Sequence, residues 1–224
     1  MTVSGNCEFD EYQAMVEEID LDPQHVELLR RARKVGAEII GPAAKEVDTD
    51  RRFPREAMDG LHAAGLTTLY VPEALGGAGI PPSSPVAQVL LQMEVASWCA
   101  STSQLYGATC NVLRYISMLA SPPVKEFFYK EAQQGHFFAS FGAEANADKF
   151  AIKSKLESTA EGYLLSGRKH FATSSTGATW AAFAASLPDG ELVMPIVDIR
   201  DPGMTVIDNW NGVGQRGTGT GIMC

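Results

Sequence analysis

Residues 162–175 read GYLLSGRKHFATSS: an apolar pair, a Ser-Gly turn, two adjacent cations, then an aromatic residue followed by small hydroxyl residues. A strand edge on which an aromatic side chain alternates with hydroxyls offers a planar ligand a surface to pack on and hydrogen-bond partners at its rim. The same pattern also describes a strand with a core Phe and exposed Thr and Ser. Its neighbours in the chain therefore have to be read with it.

From His136 onward the apolar period is near two, which predicts strands over 137–141, 152–158, 163–171, 180–187, 192–198 and 204–208. Glu161-Gly162, Asp189-Gly190 and Pro202-Gly203 are turn signals, because glycine accepts positive φ without steric cost. This half reads as an antiparallel, barrel-like sheet domain. Before Gly135 the period is near four. Asp22 and Pro23 offer an N-cap and a first-turn proline for a helix that runs to Gly41-Pro42, and Phe53-Pro54 starts a second one that Gly65 ends. Residues 69–85 (LYVPEALGGAGIPPSSP) carry too many prolines and glycines for either period and predict a structured loop. Three more helices follow. The first starts at Ser84-Pro85 with Val86, Val89, Leu90, Met93 and Val95 toward the core. The second spans 101–120, and the third follows Pro122-Pro123. The fold class is thus α+β and multidomain: an N-terminal arm at 1–21, an all-α domain at 22–135 and the β domain at 136–224.

Composition narrows the function. With 224 residues the chain can bury a real core, and no apolar run approaches the ~20 residues of a membrane span. A net charge of -9, from 27 acidic and 18 basic residues, argues against nonspecific nucleic-acid binding. Neither a secretory nor a transit segment is readable at the start, so a cytoplasmic location is expected. Cys7, Cys99, Cys110 and Cys224 lack metal-ligand spacing and read as reduced thiols; His62 reads as a helix-face histidine, and no metal site is expected. Nucleophile elbows, Walker loops, HExxH and CxxC are missing, so no catalytic residue is assigned.

Four segments in order resemble the acyl-CoA dehydrogenase family. FPREAMDGLHAAGLTTLYVPEALGGAGI is similar to its early helix, "GL" turn and "VPE-x-x-GG-x-G" loop, and GHFFASFGAEANAD lies where the family has Thr-Glu-Pro-x-Ala-Gly-Ser-Asp. GYLLSGRKHFATSS resembles the strand "G-Y-x-L-x-G-x-K-x-W/F-I-T-N", and PGMTVIDNWNGVGQRGTGTG resembles the exit "PG-V … W-x-x-x-G-x-R-G-T-x-T". The resemblance implies an FAD flavoprotein of three parts: a helical domain, a middle β domain and a C-terminal four-helix bundle. On that basis Phe171 lies against the flavin, Ala172 supplies a backbone contact and Thr173 places its hydroxyl near the reactive ring nitrogen. Phe138, Ser140, Phe141 and Ala147 fall at other cofactor-lining positions.

Against the family pattern, Phe141 stands for its threonine, Gly142 and Ala143 for its Glu-Pro, and Ala147 for the serine that reaches a phosphate. Glu144 is expected as an exposed loop carboxylate and Arg168 and Lys169 as solvated or supporting cations, with Arg216 a further site candidate. The run RGTGTGIMC reads as a turn leading into an apolar strand, so the chain is expected to stop short of the bundle that carries the family's catalytic base. An exposed apolar face on the β domain is expected where that bundle would lie. The implied activity of a complete enzyme is α,β-dehydrogenation of an acyl thioester, with acyl-CoA or another small molecule as substrate and a homo-oligomer as the assembly. A flavin-dependent monooxygenase on the same fold and a truncated, inactive interaction protein are the alternatives.

Overall fold

The computed structural model describes residues 21–145 and 152–224. Among the described residues six α-helices come first: α1 (Pro23–Val35), α2 (Gly41–Asp50), α3 (Arg55–Ala63), α4 (Val86–Trp98), α5 (Ala100–Leu119) and α6 (Pro122–Gln133). Asp22 caps α1 by accepting from the Gln24 amide at 2.8 Å. Gly41-Pro42, expected as a stop, does not end the helical run. A π-helical turn, Gly36–Ile40, joins α1 to α2, and the proline sits in the first turn of α2, where its missing N–H costs little. Trp98 fills the groove on that turn: a Cβ on Gly36 would lie 2.2 Å from its Nε1, and one on Gly41 2.8 Å from its Cε3.

Helix α4 differs from its predicted face. Ala87, Gln88, Leu91, Glu94 and Val95 are buried, whereas Val86, Val89 and Met93 are exposed. Both faces carry apolar residues, so periodicity alone cannot choose between them. Hydrogen bonds settle it, because the buried polar groups have partners. Tyr70 Oη donates to Gln88 Oε1 (2.8 Å), Gln88 Nε2 to Asn111 Oδ1 (2.8 Å), and Trp98 Nε1 to Glu94 Oε1 (3.0 Å).

Among the described residues ten short strands follow in three sheets: β1 (Phe138–Phe141), β5 (Trp180–Phe183) and β8 (Ile196–Asp198); β4 (Lys169–Ala172), β10 (Gly221–Met223) and β9 (Val206–Ile207); and β3 (Gly162–Ser166), β2 (Lys155–Thr159), β6 (Ala185–Ser186) and β7 (Leu192–Val193). Among the described residues none of the sheets closes into a barrel. The expected strand over 163–171 is two, β3 and β4, broken at Gly167-Arg168 and assigned to different sheets. Nor is pairing purely antiparallel: β1 runs parallel to β5. A long crossover separates those two strands, which permits the parallel arrangement that a tight hairpin forbids.

One core crosses from helices to sheets. Leu29, Met58, Leu61, Leu66 and Tyr106 belong to the same buried cluster as Phe137, Phe141, Phe183 and Met223. The open edge of β1 is closed by a helix side chain: Thr109 Oγ1 donates to the Phe138 carbonyl (3.2 Å) and lies 3.3 Å from its amide nitrogen. Ala172, at the end of β4, belongs to the same buried cluster as the helix residues, so that end of the strand is packed against the helical part. Among the described residues no helix is long and apolar enough to cross a membrane.

Candidate functional site

Strand β4 ends in an unusual backbone. Phe171 has φ +53° and Ser174 φ +71°, two non-glycine residues in the left-handed region within four positions. Such conformations cost on the order of 1–3 kcal/mol each and persist where the surroundings impose them. Here the surroundings are residues 215–221. β10 pairs with β4 (Gly221 opposite Ala172), the Ser174 amide donates to the Thr218 carbonyl (3.1 Å), and Ser175 Oγ donates to the Gly219 carbonyl (3.0 Å). Gly219 has φ +52°, and a Cβ there would lie 2.1 Å from Thr176 Oγ1, so only glycine allows this approach. From the other side Arg55 Nη2 donates to the Gly177 carbonyl (2.6 Å) while its guanidinium lies over the Phe53 and Phe137 rings.

This backbone turns the Phe171 ring outward: the residue is 67% exposed, although large aromatic residues are usually mostly buried. It meets Trp210 edge to face at 6.0 Å. Trp210 Nε1 donates to the Gln215 carbonyl (2.9 Å), and Thr218 Oγ1 lies 2.9 Å from the same oxygen. Thr218 Oγ1 is 2.7 Å from Thr220 Oγ1, which is 3.1 Å from Thr173 Oγ1. Two routes thus link β4 to one carbonyl, an aromatic one from Phe171 and a hydroxyl one from Thr173. A cavity of about 480 Å³ opens beside them, lined by Asp50, Arg51, Asp208, Trp210, Arg216 and Thr220 among others. Two buried polar atoms here have no protein partner, Ser174 Oγ and Arg216 Nε. An exposed aromatic face, a rim of hydroxyls and unsatisfied buried polar atoms fit a planar heteroaromatic group with a polar edge.

A buried ion pair braces the approach to β4. Lys169 Nζ lies 2.6 Å from Glu144 Oε1, with both side chains at 3% exposure or less. Ser154 Oγ (2.6 Å) and the amides of Lys153 (2.6 Å) and Ser154 (3.0 Å) also donate to this carboxylate. Burial alone would raise its pKa, but the hydrogen bonds from Lys169, Ser154 and the two amides outweigh burial and bring it down from 4.5 to about 2. Glu144 is therefore not the solvated loop carboxylate that was expected, because its carboxylate is turned inward onto Lys169, Ser154 and two backbone amides. It stands two residues beyond Gly142, where the resemblance looked for the family's glutamate. The Ala143 carbonyl accepts from the His170 amide (2.8 Å), a second tie between this segment and β4.

The remaining expected residues divide by position. Thr173 is half-buried, Ala172 is buried in the pairing with β10, and Ser140 is exposed on β1. Phe138 and Phe141 are fully buried, Phe138 against Phe128 (6.0 Å) and Phe141 against Phe183 (6.3 Å). Ala147 lies outside the described residues. Arg168 is exposed, and Arg216 lines the cavity. Trp210, Gln215, Thr218 and Thr220 were not singled out from the sequence. The alternation of threonine and glycine in RGTGTG was the available signal, since it puts hydroxyls on one side of a backbone that must pass close to another. Among the described residues no cluster of His, Cys, Asp or Glu could hold a metal ion. Cys110 is buried beside Tyr106, and burial pushes its thiol up to about 12.

The family model described as "Acyl-CoA dehydrogenase, N-terminal domain" matches residues 22–136. L-evernosamine nitrososynthase of Micromonospora sp. is 33% identical over 191 residues, covering 80% of this chain and 44% of that protein. Probable acyl-CoA dehydrogenase fadE25 of Mycobacterium leprae is 27% identical over 224 residues, covering 97% of this chain and 55% of that protein. A solved structure of KijD3 in complex with FMN and dTDP-3-amino-2,3,6-trideoxy-4-keto-3-methyl-D-glucose superposes with TM-score 0.76 at 26% identity, over 91% of this chain and 51% of that one. The chain spans about half the length of the curated relatives it matches.

Proposed function

The chain belongs to the acyl-CoA dehydrogenase family, and from that premise we propose that it forms the ring-binding wall of a flavin-dependent oxidoreductase, with Phe171 and Thr173 facing the flavin. The outward Phe171 ring, held in a left-handed backbone beside a half-buried hydroxyl, is the observation that carries this reading. Bound there, a flavin supplies two-electron redox chemistry. Phe171 packs on the ring plane, the Ala172 backbone fixes its height, and Thr173 offers a hydrogen bond to the ring edge. Ser140, Phe138 and Phe141 contribute through the shape of the adjoining β1 segment. The cofactor is FAD if the dehydrogenase resemblance holds in full, whereas FMN is the flavin named for KijD3.

Two reactions compete on this wall. Oxygen activation by a flavin-dependent monooxygenase is favoured by the 33% identity to a nitrososynthase and by a β1 segment that departs from the dehydrogenase pattern at Phe141 to Ala143. Dehydrogenation of an acyl thioester is favoured by similarity to fadE25 along 97% of the chain. Its proton-abstracting carboxylate is not Glu144, which is already committed to Lys169. The substrate, a homo-oligomeric assembly and a cytoplasmic location are part of the same proposal. Anaerobic acyl-CoA added to the flavin-loaded protein separates the two reactions: bleaching supports the dehydrogenase. Oxygen consumption that requires an external reductant supports the monooxygenase. Failure to bind either FAD or FMN overturns both.

A further inference from the structure

The three threonine hydroxyls behind β4 form an unbroken chain that ends on a backbone carbonyl. Thr218 Oγ1 lies 2.9 Å from the Gln215 carbonyl and 2.7 Å from Thr220 Oγ1, and Thr220 Oγ1 lies 3.1 Å from Thr173 Oγ1. A hydroxyl has one proton and two lone pairs. Either Thr220 Oγ1 donates to Thr173 Oγ1, the direction its geometry has here, leaving the Thr173 proton to donate to a ligand. Or the protons run inward, Thr173 to Thr220 to Thr218 to the Gln215 carbonyl, leaving a Thr173 lone pair to accept from one. Thr218 and Thr220 are buried, at 1% and 3% exposure, so bulk water is largely kept from the inner part of the chain. The Gln215 carbonyl is held in place by Trp210 Nε1 (2.9 Å), so the terminus of the relay is fixed whichever order obtains.

We propose that Thr218 and Thr220 form a reversible hydrogen-bond relay that lets Thr173 donate to the oxidised ring and accept from the reduced one. This rests on the flavin reading above. The central ring nitrogen of a flavin is an acceptor when oxidised; after uptake of a hydride, two electrons and one proton, the same nitrogen carries a hydrogen and donates. The relay moves no proton between atoms. Each hydroxyl rotates about its C–O bond, and the proton count of the protein stays constant. Thr218 and Thr220 are positioning residues, acting through Thr173.

The asymmetry of the relay makes it testable. In Thr220→Val, Thr173 can still donate outward to the oxidised ring, but once it accepts from the reduced ring its own proton has no acceptor. An unsatisfied donor disfavours that state selectively. The 224-residue chain is titrated anaerobically with FMN and FAD, oxidised and dithionite-reduced, and the midpoint potential of the bound flavin is measured. Thr220→Val is expected to weaken reduced-flavin binding about tenfold more than oxidised-flavin binding, which lowers the potential by ~30 mV for a two-electron couple. Thr218→Val shifts it in the same direction, and Thr220→Ser restores the original value. Ser117→Ala, which removes a buried hydroxyl from the helical part, leaves the ratio unchanged. Equal weakening of both redox forms, or no shift in either valine variant, overturns the relay while leaving the flavin site intact. Failure of the unsubstituted chain to bind either flavin overturns the underlying reading.

Discussion

Phe171 and Glu144 show what one residue contributes here. Phe171 was legible in the sequence, because an aromatic side chain before Thr and Ser at a strand end has a recognisable pattern. Its left-handed backbone was not, since φ there is imposed by residues 215–221, more than forty positions away. Phe171→Ala is expected to weaken flavin binding by tenfold or more, and Arg168→Ala, at an exposed position, by less than twofold. Quenching of flavin fluorescence measures both, and equal losses would remove the packing assignment. Glu144 was misread because a loop carboxylate and a buried one look alike until the partner is placed. Its pKa is lowered from 4.5 to about 2 in the fold, so its contribution to stability is fully present above pH ~4.5 and is lost as pH falls toward 2. Across that window Glu144→Gln should flatten the fall in the denaturation midpoint seen for the unsubstituted chain. Parallel curves would show that the ion pair contributes nothing to acid sensitivity.

Among the elements, the helices were the easier to read and the strands the harder. The start of α1 was marked by Asp22-Pro23, and the stop at Gly65 by a glycine with φ +74°. What escaped was the join between α1 and α2, because Gly36 and Gly41 are there to receive Trp98, a contact between residues some sixty positions apart. Glycine to alanine inside a helix ordinarily gains about 1 kcal/mol. At Gly36 the sign should reverse, with a loss of ~1–3 kcal/mol from overpacking against the indole. Chemical denaturation measures it, and a stabilised Gly36→Ala would contradict the packing described. Strands of two to five residues carry too little periodic signal to be divided correctly, which is why β3 and β4 read as one. The parallel β1 and β5 pairing depends on a crossover that local pattern does not encode.

At the level of the whole molecule, the α-then-β order was visible in the sequence, and the continuous core joining the two parts was not. That core leaves apolar surface elsewhere. Met93 and Leu119 are 65% and 79% exposed, and Tyr163 and Val213 stand out from the β part. Changing Met93 and Leu119 to Lys should raise the concentration at which the chain self-associates, with a stability change within ~0.5 kcal/mol per site. Analytical ultracentrifugation at several concentrations reads this directly, and unchanged association would place the sticky surface elsewhere. The central claim, that the β4 end holds a flavin ring, is tested most directly by titrating the chain with FAD and FMN and following visible circular dichroism of the flavin. A saturable induced signal with at least one of them, abolished by Phe171→Ala, is the predicted result; no induced signal with either, or one that survives the loss of Phe171, would contradict it.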